Sequence, residues 1–99
     1  MIYHLTTAQE WSESGHEKNF FPADSLAEGF IHCCTASQIA GVKERYFKGK
    51  KELILLHLKE ENLIAELKYE TSTNEEKFPH LYGPINRDAI FKIELLSLD

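Results

Sequence analysis

The longest uninterrupted aliphatic run in the chain is Leu53-Ile54-Leu55-Leu56, within the segment Glu52 to Leu58. Such a run does not fit the alternation of a strand with one wet face, and it falls far short of the roughly 18–20 apolar residues that span a bilayer. It predicts a strand covered on both faces, at the centre of a sheet, around which the other elements must be arranged. A chain of 99 residues has room for one such core, so a single domain over 1–99 is expected.

The flanking sequence supplies the rest of an α+β domain. Ile2 to Thr6 alternates as a strand does, and Thr7-Ala8-Gln9-Glu10 has the spacing of a helix capping box, with Gly15 as the stop. Residues 16–24 read as a loop. Ser25 to Glu28 makes one helical turn before Gly29, and Phe30 to Cys34 reads as a short buried strand. Thr35-Ala36-Ser37-Gln38 repeats the cap spacing, and Ile39, Val42, Tyr46 and Phe47 form the stripe of a second helix that runs to about Lys48. Ile64 to Thr71 is a further strand, with Ala65, Leu67 and Tyr69 on one face and Glu66, Lys68 and Glu70 on the other. Thr71 to Lys77 is a polar loop. Two prolines and a glycine within Phe78-Pro79-His80-Leu81-Tyr82-Gly83-Pro84 predict a shaped loop in place of regular structure. Ala89 to Leu96 closes the chain as a strand. Five or six short strands around two main helices make a small α+β domain with a mostly antiparallel sheet.

Charge narrows the partners. Sixteen acidic against eleven basic residues give a formal charge of −5, which argues against broad binding of duplex nucleic acid through its phosphates. The exception is local: Lys43, Arg45, Lys48, Lys50 and Lys51 lie close together with only Glu44 as an acid among them. Such a cluster either solvates a helix end, offsetting its dipole, or steers a phosphate-bearing ligand. Cys33 and Cys34 are adjacent, so a disulfide between them would close a strained ring, and a reducing compartment fits best. Met1-Ile2-Tyr3-His4 begins no basic-then-apolar leader, and no membrane span follows, so a soluble cytoplasmic protein is expected.

Three groupings stand out chemically. In Tyr3-His4-Leu5-Thr6, an extended chain points His4 and Thr6 to the face opposite Tyr3 and Leu5, a polar pair that either packs or forms a ligand face. In Gly29-Phe30-Ile31-His32-Cys33-Cys34-Thr35, His32 needs partners for both ring nitrogens, so it is bonded within the core or turned toward a polar cleft. The helix that starts at Thr35 would also offer its N–H groups to an anion beside His32. Cys34 shares the His32 face, but neighbours at i and i+2 without a third orienting group make a poor nucleophile pair, and a buried structural thiol is the simpler reading. In the third grouping, flanking prolines would present His80 and Tyr82 on a rigid loop. His4, His32, His80 and Cys34 together hold enough nitrogen and sulfur donors for a zinc site, although no paired-ligand spacing supports it.

Taken in order, Ile2-Tyr3-His4-Leu5-Thr6-Thr7, Gly29-Phe30-Ile31-His32-Cys33-Cys34-Thr35 and Phe78-Pro79-His80-Leu81-Tyr82-Gly83-Pro84-Ile85 closely resemble the small bacterial family DUF952. That family in turn resembles a compact ADP-ribosyltransferase-like fold, a fold-level analogy in which NAD lies in a cleft between two small sheets. The resemblance implies NAD, or an ADP-ribose-type nucleotide, as the small-molecule partner, with ADP-ribosyl or phosphate transfer as the chemistry. The alternative is a non-catalytic ligand-binding module. It also implies residue roles: His4 holds the adenosine ribose with Thr6 nearby, and the strand carrying His32 and Thr35 lines the nicotinamide side. His80 and Tyr82 close the cleft. His32, Glu70 and His80 are the implied catalytic group, with Glu70 as the ribose-orienting carboxylate. Cys34 stands where a small hydroxyl residue is usual in the family.

Overall fold

The computed structural model describes residues 1–15, 18–72 and 75–97. Residues 16 and 17 of the first expected loop and 73 and 74 of the second lie outside the described residues. Among the described residues there are eight strands, β1 (Ile2–Thr7), β2 (Asn19–Phe20), β3 (Ile31–His32), β4 (Glu52–Leu58), β5 (Glu66–Thr71), β6 (Lys77–Tyr82), β7 (Ile85–Asn86) and β8 (Ile90–Ser97), with α1 (Ala8–Glu13), α2 (Ala23–Glu28) and α3 (Ile39–Tyr46) following β1, β2 and β3 in turn. They form one small α+β domain with three antiparallel sheets: β1-β4-β8, β3-β6-β5 and the pair β2-β7.

The aliphatic run lies where it was expected, in β4 between β1 and β8. One face of this sheet presents Leu5, Leu53 and Leu55 to Ile39, Val42 and Phe47, the apolar stripe of α3. The opposite face presents Ile2, Ile54, Leu56 and Leu58 to Ile31, Cys33 and Leu81 of the second sheet, to Phe20 and Ile85, and to Ala8 and Trp11 of α1. Both faces are covered, so a continuous apolar run is the stable choice. Among the described residues no helix is long and apolar enough to cross a membrane.

Both helix starts are at the expected positions. Thr7 accepts a hydrogen bond from the Glu10 backbone N–H at 3.1 Å and caps α1. At the second, Thr35 and Gln38 make the reciprocal capping box, but over a 3-10 turn, Ala36–Gln38, that leads into α3. Gln38 Oε1 accepts the Thr35 N–H, and Gln38 Nε2 donates to Glu76 and to the Lys77 carbonyl. The cap is thus satisfied by its own side chains, and the acid beside them is Glu76.

The expected loop Phe78–Pro84 is instead mostly strand: β6 is the middle strand of its sheet and is buried from Phe78 to Leu81. Proline normally avoids such positions because it lacks a ladder donor. The register explains the exception. In an antiparallel ladder the N–H and C=O of one residue point to the same neighbour. The Pro79 carbonyl accepts from Cys33 N–H at 3.0 Å, so its donorless nitrogen also faces β3, and the pairing with β5 loses nothing. On the β3 side the return bond to Cys33 is missing, and β3 stops at His32. The chain then leaves that sheet, and Cys34 exchanges two 2.8 Å backbone hydrogen bonds with Tyr3 on the outer edge of β1. That bridge joins the two larger sheets at a corner.

The turn after β6 depends on Gly83, whose φ of 153° belongs to the region that favours glycine; a Cβ added there would lie 2.7 Å from Ala65 Cβ. Strain and overpacking each cost about 1–3 kcal/mol at such positions. Gly83→Ala is therefore expected to lower the urea midpoint with an unchanged m-value. A midpoint within error of the parent would show that the turn relaxes freely.

Candidate functional site

The corner between the two larger sheets is open. A cleft of about 560 Å³ is lined by His4 and Leu5 of β1, Val42, Tyr46 and Phe47 at the α3 end, Ser25 and Glu28 of α2, His32, Cys33 and Cys34 around β3, and Phe78 and Ser72 of the second sheet. This volume is within the range of small-molecule sites.

His4 and Thr6 do share a face, but it is the buried core face, and Leu5 on the other face is buried as well. His4 Nδ1 donates to the His32 carbonyl at 2.6 Å, which fixes the ring against the cleft wall. Thr6 does not line the cleft; its hydroxyl donates to Glu10 Oε1 at 2.7 Å. Thr35 likewise serves the cap described above.

Strand alternation sorts the second sheet. Ile31, Leu81 and Leu67 are in register and face the core, whereas His32, His80 and Lys68 are in register on the outer face. Phe78, Tyr82, Glu66 and Glu70 share that outer face by the same period of two. His32 is half exposed and engages Glu28 Oε2 through Nε2 at 2.9 Å.

His80 is buried, against the expectation of a loop that presents it. Phe30 stacks on its ring at 4.3 Å, and His32 meets its edge at 5.2 Å. Its Nδ1 lies 2.9 Å from Glu70 Oε1 and must donate, since a carboxylate only accepts; its buried Nε2 makes no hydrogen bond. The Tyr82 hydroxyl donates to the same carboxylate oxygen. These bonds, Tyr82 first and His80 second, hold the Glu70 carboxyl below its ordinary range, and the contact pushes the Tyr82 phenol up. Glu70 is thus kept ionised and fixed; it does not itself line the cleft, but it is in register with Phe78 and lies two residues before Ser72, both of which do.

Cys34 lines the cleft, but burial pushes its thiol up to about 12, and burial raises Cys33 further, so neither is a nucleophile at neutral pH. Among the described residues no group of three or more His, Cys, Asp or Glu side chains is placed to hold a metal, the zinc set of His4, His32, His80 and Cys34 included.

Sequence reasoning missed Glu28 at this site, and it named Arg45 only as one member of the basic cluster. Glu28 ends α2, where a carboxylate opposes the helix dipole and no basic residue offsets it. That unfavourable placement is the signal of a partner outside the helix, which proves to be His32. Arg45, from the basic cluster, lies 5.9 Å from the Phe78 ring centre and 6.0 Å from that of Tyr46, at the rim of the cleft.

The comparisons with known proteins follow the fold closely. A search of curated proteins finds no match. The crystal structure of CC0527 from Caulobacter crescentus is 33% identical, with a TM-score of 0.88 over 99% of this chain and 87% of that one. The solution structure of CC0527 is 33% identical, with a TM-score of 0.83 over 99% of this chain and 85% of that one. The family described as "Protein of unknown function (DUF952)" matches residues 5–93, which takes in both later motifs whole and begins inside the first. The chain belongs to the DUF952 family.

Proposed function

We propose that the corner cleft binds NAD or an ADP-ribose-type nucleotide and that Glu70 supports ADP-ribosyl transfer from it, in the manner of a compact ADP-ribosyltransferase-like fold. The observation that carries this reading is the Glu70 carboxylate, oriented by Tyr82 and His80 on the sheet face that continues into the cleft wall. When the nicotinamide–ribose bond breaks, nicotinamide leaves with the bonding pair, positive charge develops on the ribose, and a nucleophile adds to the anomeric carbon. A fixed carboxylate stabilises that charge. His4, His32 and Phe78 line the space for the nucleotide, and the Arg45 guanidinium, 5.9 Å from the Phe78 ring centre, is the cation we assign to its diphosphate. Phosphate transfer to NAD would use the same capture.

In this reading His80 is a positioning residue, because its ring is buried behind Phe30 and His32 and acts on the chemistry only through its hydrogen bond to Glu70. The test is calorimetric titration with NAD, ADP-ribose and zinc in parallel, on the parent and on His4→Ala, His32→Ala and His80→Ala. Stacking of a base on an aromatic ring contributes about 1–3 kcal/mol, so His32→Ala, at a half-exposed position, should weaken nucleotide binding roughly tenfold and leave the far-UV spectrum unchanged. Zinc binding without a nucleotide response, or nucleotide affinity indifferent to all three substitutions, rejects the proposal. Nicotinamide release then separates a transferase from a module that only binds.

A further inference from the structure

The outer edge of β8 is bare. The strand pairs with β4 on one side, and among the described residues no strand pairs with it on the other. Edge strands invite pairing, and proteins blunt them with bulges, charges or cover. Here the register irregularity opposite His57 and Leu58 marks only the Phe91 end of the strand, where Lys59 Nζ also lies 4.9 Å from the Phe91 ring centre, and Phe91, Ile93 and Leu95 are still 60%, 51% and 60% exposed. By register Ile93 and Leu95 extend the core face of Leu56 and Ile54 past the edge of the layer that covers it. An apolar strip of this kind on an exposed edge marks an association surface.

The sequence of the strand says what covers it. Ile90-Phe91-Lys92-Ile93-Glu94-Leu95-Leu96 is self-complementary when it is laid antiparallel on a second copy about Ile93. In that register Ile93 meets its own counterpart on the axis, while the pairs of Phe91 with Leu95 and of Lys92 with Glu94 each occur twice, as a two-fold axis requires. Glu94 uses one carboxylate oxygen on His57 Nε2, at 3.0 Å, which fixes the side chain and leaves the second oxygen to face the lysine of the other copy. A foreign apolar strand would leave Lys92 opposite nothing charged. The charge that blunts the edge against other chains is therefore the one that selects its own.

We propose that the protein forms a symmetric dimer through antiparallel pairing of two β8 edges about Ile93, which joins two β1-β4-β8 sheets into one six-stranded sheet. The cleft lies at the far edge, on β1, so both sites stay open and the pairing is independent of what they bind. An edge-to-edge interface is small, and dissociation constants of about 1–100 μM are expected.

Sedimentation velocity over a concentration series reads the equilibrium, with circular dichroism to confirm that each variant is folded. Lys92→Glu and Glu94→Lys each set like charges across both copies of the pair and should weaken self-association at least about tenfold. The doubly reversed variant should recover the dimer, and an equimolar mixture of the two single variants should form a mixed dimer. A parent that stays monomeric up to about 1 mM overturns the proposal. So does a dimer that ignores both single reversals, or one that the double reversal fails to restore. Since Glu94→Lys also loses the His57 contact, Lys92→Glu alone decides if the other variant misfolds.

Discussion

Glu70→Gln is expected to leave the fold intact and to cut nicotinamide release about 10²–10³-fold, the loss typical when one fixed electrostatic group is removed from a developing charge. Glutamine retains an oxygen to accept from Tyr82 and His80, so the amide tests the charge and not the shape of the site. Nucleotide affinity should change much less than the rate. Release that continues at the parental rate would remove Glu70 from the chemistry. If the parent releases no nicotinamide while binding nucleotide, the module without turnover is the reading that remains.

The same substitution has a pH signature. The folded-state carboxyl of Glu70 lies below its ordinary value of 4.5, so the ionised group contributes stability that is complete above 4.5 and is lost as the pH falls through the folded value. The stability of the parent relative to Glu70→Gln should therefore be greatest near neutrality and shrink in acid. Urea melts of both proteins at about pH 7 and about pH 3.5 measure it. A gap that widens in acid would mean that Glu70 is destabilised, and not held, by its neighbours.

Leu56→Ala is expected to produce the largest loss of stability. Leu56 is fully buried in the middle strand, between His4 and Ile93 in register, and faces the second sheet. Deleting such a side chain costs about 2–5 kcal/mol, from a total of about 5–15 kcal/mol for a domain. At roughly 4–8 °C per kcal/mol for this size, Tm should fall by about 10 °C or more. Calorimetry checks this. A drop of less than about 3 °C would mean that the two layers collapse into the space and that the central strand is not the keystone its burial implies.

How legible each part was depended on whether one interaction decided it. β4 could be read because burial on both faces leaves only one kind of residue run. The Thr7 and Thr35 caps could be read because a hydroxyl and a backbone N–H three residues on suffice to make them. β6 was misread because the usual cost of proline in a sheet depends on which neighbour its nitrogen faces, and that is set by Cys33, a residue far away in sequence. The shared face of Glu66, Lys68 and Glu70 on β5 could be read from strand alternation. No local pattern, however, records that Tyr82 and His80 converge on one oxygen of Glu70. His80 differed for the opposite reason: the alternation of β6 and the stacking of Phe30 bury it, and both depend on the strand that went unrecognised.

Pro79 gives the cleft an origin separate from its contents. The opening exists because one backbone ladder is left unfinished and the chain crosses to the other sheet at Cys34. None of the side chains that line it is needed to make that crossing. The lining residues that are not part of the core, such as Glu28, His32 and Tyr46, could thus change without rebuilding its walls, whereas Leu5, Cys33, Val42 and Phe47 are shared with the core. Ligand preference on this scaffold can change at those positions, while the corner itself is held by backbone pairing, of Cys33 with Pro79 and of Cys34 with Tyr3.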